Sequence, residues 1–178
     1  ENAEWPQAGG TPSKAYGNLA LSATPHQVWS ARIAGSTKKQ RLAAAPVVGG
    51  GMLFVMDTDG IVHAFDAANG AERWTKGFQI KGDGASSVYG GGVSFAGDRV
   101  YVTTGMGEVA ALEAANGNQV WKVKPAGPLR GSPTIAFNAV FVMTQANQLY
   151  ALNAADGAQL WNRAALVGQT GVFGVAAP

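Results

Sequence analysis

One nine-residue phrase occurs three times in this chain, and its repetition constrains the fold more than any other feature. The copies are DAANGAERW at 66–74, EAANGNQVW at 113–121 and NAADGAQLW at 153–161. Each copy places a glycine four residues before a tryptophan, and the copies begin 47 and then 40 residues apart. Repeats of this length are typical of β-propeller blades. The sequence therefore predicts an array of similar units that bury their cores against one another.

Each repeat contains four segments of strand length, which predicts a four-stranded antiparallel sheet. In the first repeat, the apolar runs MLFVM at 52–56 and IVHAF at 61–65 flank a polar turn. Apolar runs of this length fit strands that are covered on both faces. APVV at 45–48 provides an inner strand, and AERW at 71–74 alternates in polarity as an outer strand does. The predicted fold class is therefore all-β, a β-propeller of four-stranded antiparallel blades.

The repeated glycines and tryptophans are interpreted as structural residues. Glycine supplies the positive φ that the closing hairpin needs, and tryptophan packs the outer strand against a neighbouring blade. Burial of one tryptophan removes about 150–250 Å² from water and is worth about 4–6 kcal/mol at most. We therefore expect all three tryptophans to be buried at equivalent positions. The residues of this predicted blade motif are Gly70, Trp74, Gly117, Trp121, Gly157 and Trp161.

The repeat boundaries predict about three blades together with two incomplete pieces. HQVWSARI resembles an outer strand and is expected to close a blade, while GVFGVAAP matches the beginning of one. We therefore expect this chain to be part of a larger propeller, whose remainder is one of its binding partners. The expected ranges are 1–25 for an N-terminal arm, 26–33 for the closing strand, 45–78, 91–125 and 131–165 for blades, and 171–178 for the start of the next blade.

Composition excludes several classes of function. The 178 residues include no cysteine, so a disulfide, a thiolate metal site and a cysteine nucleophile are excluded. His26 and His63 stand far apart, which does not favour a histidine-based zinc site. The net charge is only +2, and no stripe of Lys and Arg runs along the chain, so nucleic-acid binding is not expected. Neither a metal ion nor a cofactor is expected.

Three further features admit two interpretations. DTDG at 57–60 has the form of a calcium-loop start, but IVHAF, which follows it at 61–65, contains no acid. Calcium needs six or more oxygen ligands, so a turn with glycine at positive φ is the favoured interpretation. His63 is interpreted as a hydrogen-bonded or surface residue rather than a ligand. STKKQR at 36–41 is either a solvated loop or a contact for an acidic partner surface.

The pattern Ala-x-x-Gly-x-x-x-Trp, in blades of this length, resembles the repeat of pyrroloquinoline-quinone (PQQ) dehydrogenases and their non-catalytic relatives. Residues 91–135, from GGVSFAGDRVYV to RGSPTI, are similar more specifically to the BamB family. These are propeller lipoproteins of the outer-membrane β-barrel assembly machinery. The resemblance runs from about Val28 to Pro178. It implies a part of an eight-bladed propeller in the periplasm, anchored to the outer membrane by a lipid upstream of this sequence.

The resemblance implies a non-catalytic scaffold with no catalytic residues. Such a scaffold would bind the POTRA domains of BamA and other subunits of the machinery, and it would aid insertion of nascent outer-membrane proteins. Two alternatives remain open, namely a fragment of a PQQ-dependent dehydrogenase and a periplasmic propeller sensor or binding domain. A quinone enzyme would need calcium held by acidic and amide side chains, and the sequence offers no compelling cluster of them.

The predicted partner-binding residues lie on two connections between blades. The resemblance implies that the family's contact loop corresponds to residues 167–174. That family loop carries leucines and an arginine, whereas this one has an apolar pair and no basic residue. We predict that Val172 and Phe173 form the apolar anchor together with Leu166. Arg130, on the preceding connection, is predicted to supply the charge.

Overall fold

The computed structural model describes residues 4–13, 23–35, 44–78, 90–125 and 127–164. Regular secondary structure in these ranges consists of twelve strands in three four-stranded sheets. The predicted all-β class with four-stranded antiparallel sheets is therefore confirmed. Across the described ranges we found no helix with the length and apolarity to span a membrane.

Each sheet is built from four consecutive strands that pair in chain order. Blade 1 contains β1 (Val47–Gly49), β2 (Met52–Met56), β3 (Ile61–Asp66) and β4 (Glu72–Gly77). Blade 2 contains β5 (Gly91–Ala96), β6 (Arg99–Thr104), β7 (Val109–Glu113) and β8 (Gln119–Val123). Blade 3 contains β9 (Thr134–Ala136), β10 (Ala139–Met143), β11 (Gln148–Asn153) and β12 (Gln159–Ala164). These strands lie within the ranges 45–78, 91–125 and 131–165 expected for blades.

The hydrophobic core lies between the blades rather than within any one of them. Phe54 of β2 and Phe95 of β5 stack with their ring centroids 5.8 Å apart, and both belong to a cluster shared by blades 1 and 2. A second cluster joins blades 2 and 3 through residues such as Tyr101 and Val140. The middle strands of blade 2 are apolar along their length because blades 1 and 3 cover its two faces. A single blade has no core of its own, so its stability depends on its neighbours.

In blades 1 and 2, the tryptophan of the outer strand lies against the turn glycine of the next blade. A Cβ built at Gly117 would lie 2.6 Å from a ring carbon of Trp74, so only glycine leaves room for the indole. The indole Nε1 of Trp74 also donates a hydrogen bond of 2.8 Å to the carbonyl of Ala114. The same arrangement joins Trp121 to Gly157 and Ala154, and Trp29 to Gly70 and Ala67. The turn glycine therefore also serves as the docking surface for the neighbouring blade.

Burial, which we expected for all three tryptophans, is found for Trp121, is partial for Trp74 and is not found for Trp161. Its side chain is 39% exposed, whereas that of Trp121 is only 8% exposed. Trp161 packs on Phe141 of its own blade with ring centroids 5.9 Å apart. In the described ranges no strand lies beyond β12, so no glycine or carbonyl of a further blade meets this indole. The expectation of burial is therefore wrong for Trp161 in the described structure.

Residues 26–33 are not paired in any described sheet, and their expected role as a closing strand stays a prediction. No described strand runs beside them to complete a hydrogen-bonded ladder. Trp29 nevertheless lies against Gly70 of blade 1 in the way that the outer-strand tryptophans lie against later blades. Trp29 therefore occupies the position of an outer-strand tryptophan, although its backbone is not paired in a described sheet. Residues 171–178, expected to start another blade, lie outside the described residues.

Residues 4–13 of the N-terminal arm cross the inner strands of the blades. Trp5 and Val48 exchange two backbone hydrogen bonds of 2.7 and 2.8 Å at the free edge of β1. The next residue, Pro6, accepts a 2.6 Å bond from the backbone N–H of Phe95 in β5. The arm therefore pairs with backbone groups of inner strands that their own sheets leave open.

The arm reaches blade 3 through the side chain of Gln7, which is only 2% exposed. Its Nε2 donates to the carbonyl of Ile135 at 3.3 Å, and its Oε1 accepts from the N–H of Ile135 at 3.2 Å. The arm then reverses in a turn closed by a 2.8 Å bond from Gly10 N–H to the carbonyl of Gln7. Gly9 and Gly10 take φ values of 82° and 83° there, which glycine adopts without strain.

We expect Gly117→Ala to destabilise the protein more than Gly97→Ala. Both glycines have positive φ, 75° and 64°, so an alanine at either position costs about 1–2 kcal/mol. Only the Cβ at position 117 meets the indole of Trp74, since nothing lies within 4 Å of a Cβ at position 97. Overpacking of this kind adds about 1–3 kcal/mol. Urea titrations measure the difference, and equal losses would contradict the docking role of Gly117.

Trp121→Ala is expected to lower the free energy of unfolding by about 3–5 kcal/mol, as truncation of a large buried aromatic does. Trp161→Ala is the matched control. We expect it to lose clearly less, because the Trp161 side chain is 39% exposed. The same urea titrations test both variants. A loss below about 1 kcal/mol for Trp121→Ala would show that the indole contact does not hold the blades together.

Candidate partner-binding surface

Arg130 is the predicted binding residue that falls within the described part of the chain, and it lies on the connection between β8 and β9. This connection runs along the β10–β11 turn of its own blade. The backbone N–H of Arg130 donates to the carbonyl of Met143 at 3.0 Å, and that of Gln145 donates to the carbonyl of Pro128 at 2.8 Å. We call the end of the blades formed by this connection and the β2–β3, β6–β7 and β10–β11 turns the Arg130 face.

Blade 2 holds the same connection from its other side. The hydroxyl of Thr103 donates to the carbonyl of Gly131 at 2.7 Å, and that of Ser94 donates to the carbonyl of Pro133 at 2.5 Å. A Cβ built at Gly90 would lie 2.4 Å from the carbonyl oxygen of Leu129, so blade 2 contacts the connection without an intervening side chain. The backbone that carries Arg130 is therefore fixed by two blades.

The side chain of Arg130 is oriented by its own blade. One guanidinium nitrogen donates a 3.0 Å hydrogen bond to the carbonyl of Gln145, and the residue is partly exposed. The charge lies where a partner can approach it, on a backbone that does not need to be ordered on binding. A pre-positioned cation of this kind contributes orientation and association rate more than affinity.

The three strand-connecting turns of the Arg130 face share one construction. In each turn, a side-chain oxygen at the end of one strand accepts a hydrogen bond from the N–H four residues later, and a residue with positive φ lies between them. The donor–acceptor pairs are Ile61 to Asp57 at 2.9 Å, Glu108 to Thr104 at 3.2 Å and Gln148 to Thr144 at 3.1 Å. The residues with positive φ are Gly60, Gly107 and Asn147.

This construction decides between the two interpretations of DTDG. Asp57 Oδ1 accepts bonds of 2.9 Å from the N–H groups of Asp59 and Ile61, and Oδ2 lies 2.9 Å from Nε2 of His63. Both oxygens of the Asp57 carboxylate are therefore engaged, Oδ1 by N–H groups of the turn and Oδ2 by His63. Over the ranges that the structure describes, no group of three or more acidic or histidine residues is placed to hold a metal ion. The turn that the sequence favoured is present, with Gly60 at a φ of 75°.

His63 bridges two carboxylates beside this turn. Its Nε2 lies 2.9 Å from Asp57 Oδ2, and its Nδ1 lies 2.8 Å from Glu72 Oε1. Burial of the ring opposes its protonation, but the hydrogen bonds and negative charges of Glu72 and Asp57 outweigh burial and raise the pKa of His63. With an acceptor at each nitrogen, the doubly protonated ring satisfies both contacts. His63 is therefore a hydrogen-bonded structural residue, as the sequence favoured.

The other predicted binding residues, Leu166, Val172 and Phe173, lie outside the described residues, as does the basic segment 36–41. Among the predicted binding residues, the structure therefore places Arg130 alone, against the β10–β11 turn. The roles of the other three stay predictions.

Sequence reasoning missed the two threonine caps and the carboxylate bridge. Asp57, Thr104 and Thr144 occupy the same place in the three repeats, so alignment of the turns carried a signal for the caps. The bridge had no such signal, because the contact of His63 with Glu72 depends on how β3 and β4 are paired.

The chain matches the family described as "Outer membrane protein assembly factor BamB" over residues 18–85 and 58–178. The outer membrane protein assembly factor BamB of Salmonella typhimurium is 32% identical over 117 residues, which cover 64% of this chain and 30% of that protein. The quinohemoprotein alcohol dehydrogenase of Comamonas testosteroni is 35% identical over 96 residues, covering 52% of this chain and 14% of that enzyme. The chain thus spans about a third or less of the length of these relatives.

Solved structures show the same fold. The crystal structure of BamB from Moraxella catarrhalis superimposes with a TM-score of 0.58 and 22% identity, covering 70% of this chain and 36% of that one. That of the Comamonas testosteroni dehydrogenase superimposes with a TM-score of 0.72 and 24% identity, covering 90% of this chain and 27% of that one. At these identities the structures establish the propeller fold and nothing about activity.

The carboxylate bridge predicts that stability depends on pH. The pKa of His63 is raised above its ordinary value of 6.5, so its contribution is full below about pH 6.5 and is lost as pH rises through the folded-state pKa. Urea midpoints measured between pH 5.5 and 9 should therefore fall toward the alkaline end, where this contribution to stability is lost. His63→Gln should remove that part of the pH dependence, whereas His26→Gln, at an exposed position, should retain it. Identical profiles for wild type and His63→Gln would contradict the bridge.

Proposed function

The chain belongs to the family of the outer membrane protein assembly factor BamB, and we propose that it is part of a non-catalytic scaffold in outer-membrane β-barrel assembly. The observation that carries this proposal is the family match, which extends across residues 18–178. Because the chain spans 30% of the Salmonella typhimurium relative, the proposal concerns the whole protein. On this proposal the protein lies in the periplasm, anchored to the outer membrane by a lipid upstream of this sequence.

The proposed partners are the POTRA domains of BamA, other subunits of the machinery, nascent outer-membrane proteins and the remainder of the propeller. A scaffold needs a surface whose backbone is already ordered, since ordering it on binding would reduce affinity. The connection that carries Arg130 is held by hydrogen bonds from blades 2 and 3. This construction supports a partner surface on the Arg130 face.

We assign the apolar part of that contact to Val172 and Phe173, with Leu166 beside them in the sequence. Arg130 would contribute a charge at the rim of the contact. Buried aromatic anchors carry most of the affinity at protein interfaces, whereas rim charges chiefly set orientation and rate. This division of roles rests on the sequence, because these three apolar residues lie outside the described ranges.

A quinone-dependent dehydrogenase is the second candidate, favoured by the 35% identity to the Comamonas testosteroni enzyme over 52% of this chain. Calcium beside a quinone would need clustered acidic and amide ligands. The described ranges contain no group of three or more acidic or histidine residues suited to a metal ion, so their donor set does not fit that cofactor pair. Titration of the full-length protein with PQQ and calcium, followed by absorbance, separates the candidates, since saturable binding would favour the enzyme.

We expect Phe173→Ala to weaken binding of the full-length protein to the cognate BamA POTRA region by at least about tenfold, as loss of an aromatic anchor does. Arg130→Ala should weaken binding less. Isothermal calorimetry measures both. Val120→Ala is the matched control, because Val120 is an apolar residue that is 40% exposed on the outer strand β8 and should leave affinity unchanged.

Two outcomes would count against these assignments. Absence of binding by the wild-type protein would reject the proposed partner. Normal binding by Phe173→Ala, with wild-type binding intact, would place the contact elsewhere on the propeller.

A further inference from the structure

The turn between β9 and β10 presents a phenylalanine to solvent. Phe137 is 96% exposed and has a φ of 51°, followed by Asn138 with a φ of 59°. Ala136 and Ala139 pair across the turn, so the chain reverses over two residues with positive φ, as in a type I′ hairpin. Bulky side chains rarely adopt this conformation.

The local fold does not account for a phenylalanine at this position. The equivalent turn of blade 1 is Gly50–Gly51, with φ values of 58° and 74°, and that of blade 2 begins with Gly97 at 64°. Glycine or asparagine would close the hairpin with less strain. A ring that is 96% exposed gains no burial in return. Phe137 therefore strains the turn in which it lies and adds no buried surface to the core.

The surface around this turn is continuous across blades 2 and 3. The N–H of Ala154 donates to the carbonyl of Asn138 at 3.0 Å, which joins the β9–β10 and β11–β12 turns. Arg99, on the β5–β6 turn of blade 2, donates bonds of 3.0 Å to the carbonyls of Ala154 and Ala155. We call the end of blades 2 and 3 formed by residues 96–99, 113–118, 136–139 and 153–158 the Phe137 face.

The Phe137 face is acidic. Its sequence contains Asp98, Glu113 and Asp156 against one cation, Arg99. All three acidic residues are exposed, and the side chain of Asp98 is 96% exposed. The Arg99 side chain is only 28% exposed and is bonded to two carbonyls, so the charge offered to solvent is predominantly negative. An exposed aromatic on a face that carries three exposed acids is complementary to an apolar pocket bordered by Lys and Arg.

We propose that the Phe137 face docks a folded domain of another component of the assembly machinery, with Phe137 inserted into an apolar pocket bordered by basic residues. This inference rests on the proposed function. It concerns a different surface, because the β9–β10 turn lies at the opposite end of β9 from the connection that carries Arg130. Its negative charge disfavours an anionic lipid surface as the occupant.

The test compares full-length wild type with Phe137→Asn, since asparagine accepts a positive φ and removes the ring. The probes are the purified cognate assembly complex lacking this protein, and the isolated BamA POTRA region. Phe137→Asn should weaken binding to the complex by at least about tenfold and leave binding to the POTRA region unchanged. Phe137→Tyr, which retains a ring, is the matched control and should bind the complex like wild type.

Charge and stability give independent readouts. Asp98→Asn with Asp156→Asn should weaken binding to the complex and reduce its sensitivity to salt. Phe137→Asn should leave the urea midpoint unchanged or raise it, because an exposed ring in a strained turn is removed. A lowered midpoint would show that Phe137 packs within the full-length protein, and it would overturn the proposal.

The remaining outcomes separate this inference from the function on which it rests. Wild-type binding to the complex that Phe137→Asn leaves intact would overturn the inference and leave the scaffold function standing. Failure of the wild type to bind either probe would overturn both. Ring-dependent binding to vesicles containing phosphatidylglycerol, without binding to the complex, would identify a membrane contact and overturn the protein-docking proposal.

Discussion

The contact between an indole and the glycine of the next blade is the interaction on which the described structure depends. One residue meets two requirements there, because the hairpin needs a positive φ and the neighbouring ring needs a position without a side chain. Gly117 satisfies both, with a φ of 75° and the ring of Trp74 against it. The indole N–H is satisfied by a carbonyl of the same hairpin. A nine-residue phrase therefore encodes both the end of one blade and the contact with the next.

Much of the fold was predictable because repetition supplies its own alignment. Three copies of one pattern place strands and turn glycines in register, and twelve strands lie within the expected blade ranges. The exposure of Trp161 was not predictable, since it depends on what lies beyond β12 rather than on the phrase itself. The path of the arm was also beyond sequence reasoning. The bonds of Gln7 to Ile135 join residues 128 positions apart, and no local sequence pattern indicates them.

The candidate site was predictable only in part, for a related reason. Arg130 was predicted as a binding residue because it lies beside glycines just before an inner strand. The structure shows that hydrogen bonds from blades 2 and 3 order the backbone there. His63 gave no signal of its bridge, because its partners come from a turn and from the next strand. Phe137 is an ordinary residue in the sequence and becomes informative only through its φ of 51° and its exposure. The two proposed contact surfaces lie at opposite ends of the blades, so binding at one would leave the other accessible.

The arm that crosses three blades also has a consequence for the order in which the chain assembles. The arm precedes all three blades in the sequence, yet the carbonyl and N–H that receive Gln7 belong to Ile135, which follows 128 residues later. Local hairpins close long before such a distant contact can form. The strands of blades 1 and 2 can therefore pair, and can receive Trp5 and Pro6, before Gln7 has its site on blade 3. The contact between Gln7 and Ile135 is thus among the last contacts of this array to form, because it requires β9 of the third blade.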